Sequence, residues 1–190
     1  IDGVRDVAVV GDKVARVAES IEGAQAKKVL DAKGLYVTPG LIDLHAHVFG
    51  YSGSIFPDDT ALLTGATTVV DAGGAGWRTF EEFRNKIIQR TRTRVLALIN
   101  IVGHGMVGPK FEDDVQDMDP EKTAEMIRKH RDVIVGIKTA HFGGTGWVAI
   151  RRAIEAGKLA NVPVMIDDKI FTNTGRTSRE KLLDVMRPGD

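Results

Sequence analysis

The sequence predicts an α/β fold of the (β/α)8 TIM-barrel type, represented by strands one to five, after a β-rich N-terminal segment. Apolar strand-like runs alternate with helix-like stretches over most of the chain, which is typical of strand–helix units. The runs are apolar throughout rather than alternating, as in parallel strands buried on both faces. By contrast, residues 1–39 contain only short strand-like segments without a helical period.

Residues 1–39 are predicted to form a small, separate β-rich unit. The valines before and after Gly11-Asp12 form two apolar runs joined by a turn, a pattern that predicts a β-hairpin. Residues 29–30 and 35–37 flank a second turn at residues 32–34, and we expect two further short strands there.

Residues 40–190 are assigned to the N-terminal portion of the barrel. The predicted strands are residues 41–47, 67–71, 95–102, 133–139 and 162–167, and the predicted helices are residues 79–90, 121–130, 147–159 and 178–186. A complete barrel takes about 250 residues, so about 150 residues hold about five of eight units. We therefore expect a piece of a longer protein. An open doubly wound sheet is the competing fold, but no G-x-G-x-x-G loop follows the first strand.

The charge balance and the lack of cysteine limit the partners and the metal ligands that this chain can have. Lys plus Arg equals Asp plus Glu at 26 each, so net charge gives no support for a nucleic-acid or anionic-membrane partner. The chain has no cysteine, which leaves histidine, carboxylate or modified lysine to hold any metal. Neither a transmembrane-length apolar run nor a signal-peptide pattern is present. We expect a cytoplasmic, homo-oligomeric enzyme with a small-molecule substrate.

The strongest motif is His45-Ala46-His47 at the end of the first predicted barrel strand, after Pro39-Gly40. Residues two apart on a strand point the same way, so both imidazoles project from the C-terminal end, where barrel active sites lie. Two imidazoles at close range are natural metal ligands. The alternative is that two histidines end a strand by chance.

This segment resembles the first-strand signature of the amidohydrolase superfamily, and most closely its dihydroorotase-like amidohydrolase and deacetylase members. The resemblance implies a metal-dependent hydrolase acting on an amide or ester, N-acyl or O-acyl, with one or two zinc ions. It also implies that residues 1–39 are part of a small N-terminal β-sandwich domain, and that a proton-shuttle Asp lies on strand eight, beyond residue 190. Cyclic amide hydrolysis, as in dihydroorotase or hydantoinase, and a non-catalytic, metal-free homologue remain alternatives.

Two further residues are predicted metal ligands. Lys138 ends the fourth predicted strand, where the resemblance implies a carboxylated lysine whose two oxygens bridge two cations. The alternative is a lysine whose stem packs while its amine reaches solvent. Asp167 ends the fifth strand, where related enzymes place a histidine, and this departure puts a two-metal site in doubt. Asp167 is a substitute ligand, a hydrogen-bond acceptor behind the ligands, or a strand-end cap.

Two loop histidines are predicted to bind substrate. His104 follows the third predicted strand, and His141 lies three residues after Lys138. Loops on the C-terminal face of a barrel carry specificity, whereas the alternative is that each ring is simply solvated. The glycine-rich run at residues 73–76 has no P-loop Lys-Ser/Thr after it, and we expect a flexible loop there.

Overall fold

The computed structural model describes residues 3–23, 26–167 and 179–190. The chain divides into two compact units, Ile1–Thr38 and Pro39–Asp190.

The first unit contains an antiparallel hairpin. Strands β1 (Asp6–Val10) and β2 (Lys13–Ala18) pair across the turn at Gly11, whose φ of 63° suits a residue without a side chain. This confirms the predicted hairpin. The predicted strands at residues 29–30 and 35–37 are wrong, because neither segment has a strand partner among the described residues. The turn between them does form, and the Leu35 N–H donates to the Ala32 carbonyl oxygen at 3.0 Å.

The second unit is built on a five-stranded parallel sheet in the order β3-β4-β5-β6-β7. The strands are β3 (Leu41–Ala46), β4 (Ala66–Gly76), β5 (Arg94–Asn100), β6 (Ile134–Ala140) and β7 (Val164–Asp167). All five predicted barrel strands are therefore present. Each strand lies beside its neighbour in the chain with no reversal of order, as in a (β/α)8 barrel. A doubly wound sheet reverses its strand order at a switch point, and the described strands show no such reversal.

Helices connect these strands. They are α1 (Pro57–Thr60), α2 (Phe80–Phe83), α3 (Pro109–Glu112), α4 (Pro120–Lys129), α5 (Val148–Ala160) and α6 (Arg179–Leu183). The predicted helix at residues 79–90 is α2 followed by a π-helical turn at Arg84–Ile88. Residue 178, the predicted start of the last helix, lies outside the described residues. Within the described part of the chain, no helix is both long and apolar enough to span a membrane.

The core lies between the sheet and helices α4 and α5. Ile99 and Ile137 on the sheet are fully buried, as are Ile127 of α4 and Ala153 of α5. Strand β3 departs from the predicted burial on both faces, because Leu41, Ile42 and Leu44 are exposed. The physical reason is its edge position: β3 pairs with β4 alone among the described strands.

The glycine-rich run is a strand rather than the predicted flexible loop. Strand β4 continues through Gly76, and every residue from Val69 onward is buried. The missing side chains allow backbone to approach backbone, since a Cβ on Gly74 would collide with the carbonyl oxygen of Phe49. A Cβ on Gly76 would likewise collide with that of Val102.

Candidate functional site

The two histidines of the first barrel strand lie side by side. The ring centroids of His45 and His47 are 5.3 Å apart with the rings nearly perpendicular. The Asp43 carboxylate accepts a hydrogen bond from the His45 N–H at 3.0 Å, which fixes the backbone at the strand end. His47 Nδ1 is buried and has no hydrogen-bond partner. A buried ring nitrogen without a hydrogen-bond partner needs an explanation, and coordination of a metal ion by that nitrogen is one.

Lys138 reaches this histidine pair from the end of β6. Its side chain is 1% exposed, so the amine does not extend into solvent. Lys138 Nζ lies 3.5 Å from His45 Nε2 and 3.3 Å from Asp167 Oδ2. Burial lowers the pKa of Lys138, although the Asp167 carboxylate opposes that shift. Burial also lowers the pKa of His47, and the neighbouring positive charges of His45, Lys138 and His141 add to the effect.

A backbone cradle holds the Lys138 stem. Gly73 has a φ of +91°, and a Cβ added there would lie 2.7 Å from Lys138 Cγ. Asn100 donates from Nδ2 to the Gly73 carbonyl oxygen at 3.0 Å, and its Oδ1 accepts from the Val102 N–H at 3.0 Å. The glycine therefore makes room for the lysine, and the buried asparagine fixes the glycine.

Asp71 ties β4 to the segment that follows the histidine pair. Its carboxylate is fully buried and accepts the Val48 N–H at 2.8 Å and the Gly74 N–H at 2.7 Å. Burial raises the pKa of Asp71 to about 6, against the opposing effect of these N–H donors. One side chain thus fixes both the backbone next to His47 and the glycine run next to Lys138.

Asp167 and His141 complete the cluster. Asp167 Oδ2 lies 3.5 Å from His141 Nε2, in addition to its contact with Lys138. His141 Nδ1 lies 3.2 Å from Glu112 Oε2, and the other oxygen of Glu112 accepts the Gly108 N–H at 3.1 Å. Glu112 is 5% exposed. His141 is thus held by a buried carboxylate rather than solvated.

His104 belongs to a second cluster. The ring nitrogen Nδ1 lies 2.8 Å from Asp117 Oδ2, and the backbone N–H of His104 donates to the same oxygen at 3.0 Å. Arg78 Nε donates to the other Asp117 oxygen at 2.6 Å. Although burial opposes it, the hydrogen bonds from Arg78 and His104 hold the pKa of Asp117 below its ordinary value. The His104 ring is half-exposed and fixed through one nitrogen, so Nε2 remains available to a ligand.

The structure therefore brings together His45, His47, Lys138, Asp167 and His141, and places His104 with Asp117. Among the described residues, no three histidine, aspartate or glutamate side chains are already arranged to hold a metal ion. The donor set nevertheless fits one. The His45 imidazole and the Asp167 carboxylate converge on the buried Lys138 amine, and the neighbouring His47 ring has a buried nitrogen without a hydrogen-bond partner.

Sequence reasoning missed Glu112 and Asp117, the carboxylates that hold the two loop histidines. Both come from an acidic stretch, residues 112–119, that reads as a solvated loop. Nothing in that stretch distinguishes the two buried carboxylates from exposed Asp113 and Asp114. Gly73 and Asn100 were missed as well, although the glycines at positions 73 and 74, just after the predicted strand at residues 67–71, are a sequence signal for close packing of the backbone.

Comparisons with known proteins place this geometry in context. No family model matches the chain. It is 31% identical to a deacetylase of Agrobacterium fabrum over 97% of this chain and 47% of the relative. A crystal structure of a dihydroorotase matches with 29% identity and a TM-score of 0.82, over 98% of this chain and 52% of the other. An adenine deaminase structure matches with 26% identity and a TM-score of 0.80, over 96% and 50%. The chain spans about half the length of these relatives.

Proposed function

Because this chain belongs to the amidohydrolase superfamily, we propose that its protein is a metal-dependent amidohydrolase or deacetylase. It hydrolyses an amide or ester bond of an N-acyl or O-acyl substrate. The observation that carries the proposal is the contact of Lys138 Nζ with His45 Nε2 at 3.5 Å, beside the orphaned Nδ1 of His47. A buried lysine amine is energetically costly, and such groups occur mainly at functional sites.

His45, His47 and Asp167 are the side chains that would hold zinc. A zinc ion supplies water whose pKa is lowered toward about 7. The protein's part is to present these donors from the C-terminal ends of β3 and β7 and to exclude solvent around Lys138. Asp71 contributes by fixing the backbone at Val48, next to His47. An Asp shuttling the proton is expected beyond residue 190.

Lys138 serves this site as a carbamate. The neutral amine attacks carbon dioxide: a nitrogen–carbon bond forms, one carbon–oxygen π bond breaks with its electron pair moving to oxygen, and one proton passes from nitrogen to solvent. The product carries one negative charge where the ammonium carried one positive charge. It offers two oxygen donors to cations at the place where the ammonium now contacts His45 and Asp167. Burial of the amine supports this chemistry because it disfavours the ammonium.

The test of the metal site is zinc content, measured by elemental analysis of the full-length protein that carries this sequence. We expect stoichiometric zinc in the wild type and its loss in a His45→Ala, His47→Ala double variant. His130→Asn is the control, because His130 is also a buried, carboxylate-paired histidine but contacts Glu81 instead. Equal zinc in the wild type and the double variant would refute the site.

The test of the carbamate is Lys138→Ala. We expect loss of activity, with partial recovery when short carboxylic acids supply the missing oxygens. Carbon-13 NMR of protein equilibrated with labelled carbon dioxide should show a carbamate carbon in the wild type and none in the variant. Full activity in Lys138→Ala without added acid would exclude a bridging role.

His104 and His141 are proposed to contact the substrate. The half-exposed ring of His104, fixed by Asp117 and close to Arg78, suits the carboxylate of an N-acyl amino acid. We expect His104→Ala to raise KM for such substrates more than it lowers kcat. An unchanged KM across a panel of N-acetyl amino acids would remove His104 from the substrate site.

Cyclic amide hydrolysis is the second candidate, favoured by the similarity to a dihydroorotase structure. Turnover of dihydroorotate or a hydantoin, with none of an N-acetyl amino acid panel, would decide for it. A non-catalytic homologue would purify without stoichiometric metal. We also propose a cytoplasmic location, a homo-oligomeric state and zinc as the metal.

A further inference from the structure

We propose that His141 is itself a metal ligand, with Glu112 as the carboxylate that orients it. This inference rests on the proposed metal-dependent function and revises the expectation that His141 only meets substrate.

The spacing of His141 and Asp167 is the first argument. His141 Nε2 and Asp167 Oδ2 are 3.5 Å apart. That separation is too long for a good hydrogen bond, which for nitrogen and oxygen falls at about 2.7–3.2 Å. Two ligands bound to one tetrahedral zinc at about 2.0–2.2 Å are about 3.3–3.6 Å apart. The observed pair has the spacing of two atoms that share a cation.

The partner of the other ring nitrogen is the second argument. His141 Nδ1 lies 3.2 Å from Glu112 Oε2. A metal-binding histidine almost always donates its second ring N–H to a carboxylate or carbonyl, which fixes the tautomer and frees the other nitrogen for the metal. Glu112 suits this task because it is buried and its second oxygen is held by the Gly108 N–H. Here the lone pair would be on Nε2, the nitrogen that faces Asp167.

Backbone conformation is the third argument. His141 has a φ of 48°, one of two positive-φ residues other than glycine in the described part of the chain. The other, Asn161, caps helix α5, a position where asparagine is common. Histidine in this conformation is strained, and such strain persists mostly at functional sites. The turn directs the ring back toward the ends of β6 and β7, where Lys138 and Asp167 meet.

Three variants of the full-length protein test this proposal. His141→Asn tolerates a positive φ but cannot reach the position of Nε2. Glu112→Gln keeps the acceptor for the Gly108 N–H and removes the negative charge. His130→Asn is the control, a carboxylate-paired histidine at the end of α4. Each is loaded with Co²⁺ or Zn²⁺. The metal dissociation constant, the visible absorption of bound Co²⁺ and the number of nitrogen ligands by X-ray absorption are then measured.

We expect His141→Asn to weaken metal binding at least tenfold, to change the cobalt spectrum and to lose one nitrogen ligand. Glu112→Gln should weaken binding by about 10- to 100-fold, and it decides the question if His141→Asn does not fold. His130→Asn should match the wild type. Wild-type affinity and spectrum in both site variants would show that His141 contacts the two carboxylates but does not bind the metal, and the proposal would be wrong. If metal were lost from the double variant at His45 and His47 but kept in His141→Asn, only this inference would fail. A wild type without metal would overturn the proposed function as well.

Discussion

At the scale of the residue, glycine at position 73 decides where Lys138 can lie. The lysine stem packs into the space that a side chain at this position would occupy. Asn100 holds the same peptide in place through the Gly73 carbonyl. A substitution at Gly73 therefore displaces the lysine stem without replacing any titratable side chain.

Gly73→Ala should destabilise the protein by about 2–4 kcal/mol, because strain at φ +91° is added to a clash with the Lys138 stem. Gly189→Ala is the matched control. Gly189 has a φ of +96°, but nothing lies within 4 Å of its added Cβ, so it reports the strain alone. Denaturant unfolding of both variants measures the difference. Equal losses would mean that the lysine moves aside at no cost.

The buried carboxylate of Asp71 should make the free energy of unfolding depend on pH. Its pKa is raised from 3.8 to about 6, so the folded state binds this proton more tightly than the unfolded state does. The stabilisation is greatest at low pH and is lost as pH rises through the folded-state pKa. Between pH 4.5 and 7, the stability of the wild type relative to Asp71→Asn should fall by about 2 kcal/mol.

The experiment is denaturant unfolding of metal-free protein across that range. Asp58→Asn is the control, because backbone N–H donors at Arg92 and Thr93 lower the pKa of Asp58. Its contribution is lost only at pH values below this range, so the difference between that variant and wild type should stay nearly constant. A flat profile for Asp71→Asn would mean that the carboxylate keeps an ordinary pKa.

At the scale of the element, the segment between β5 and α4 supplies the carboxylates that hold both loop histidines. Glu112 orients His141, and Asp117 orients His104. The segment returns to the sheet at α4, which Asp119 caps by accepting the N–H groups of Glu121 and Lys122 at 3.1 and 3.0 Å. Stable capping therefore helps to fix the acidic stretch that precedes it.

Asp119→Ala should cost about 1 kcal/mol of stability, since two N–H groups in the first turn of α4 lose their acceptor. Asp119→Ser keeps a capping oxygen and should lose much less. Thermal unfolding compares the two variants, and hydrogen exchange at Glu121 and Lys122 locates the effect. Equal stability of the alanine and serine variants would show that the cap contributes nothing.

At the scale of the whole molecule, the parallel sheet leaves β3 and β7 each with one strand neighbour among the described residues. Strand β3 also exposes Leu41, Ile42 and Leu44. An exposed apolar edge is a template for pairing with another chain.

Residues 1–190 expressed alone should therefore self-associate. Because this chain spans about half the length of its relatives, we also expect it to show no hydrolytic activity alone. Sedimentation velocity measures the first property, and a panel of N-acetyl amino acids measures the second. Leu44→Lys, which places a charge on the exposed edge strand, should reduce the association. A monomer that unfolds cooperatively and turns over substrate as fast as the full-length protein would contradict this expectation.

The order of strands and helices in the second unit could be predicted from the amino-acid sequence alone. Continuous apolar runs are read directly from the chain, and so is the His45-x-His47 spacing that places two rings together. Local signals also sufficed for the hairpin at Gly11 and for the start of α4 at Asp119-Pro120. In each case the forces act between residues close in the chain.

The contacts among the polar side chains of the site depend on the tertiary structure and could not be predicted from the sequence. The contacts of Lys138 with His45 and of Glu112 with His141 join residues 93 and 29 positions apart. No local pattern selects Glu112 from its acidic neighbours, because its burial depends on how the segment after β5 folds back on the end of β6. The glycine run of β4 became a buried strand for a similar reason, since backbones from distant segments pack where its side chains are missing.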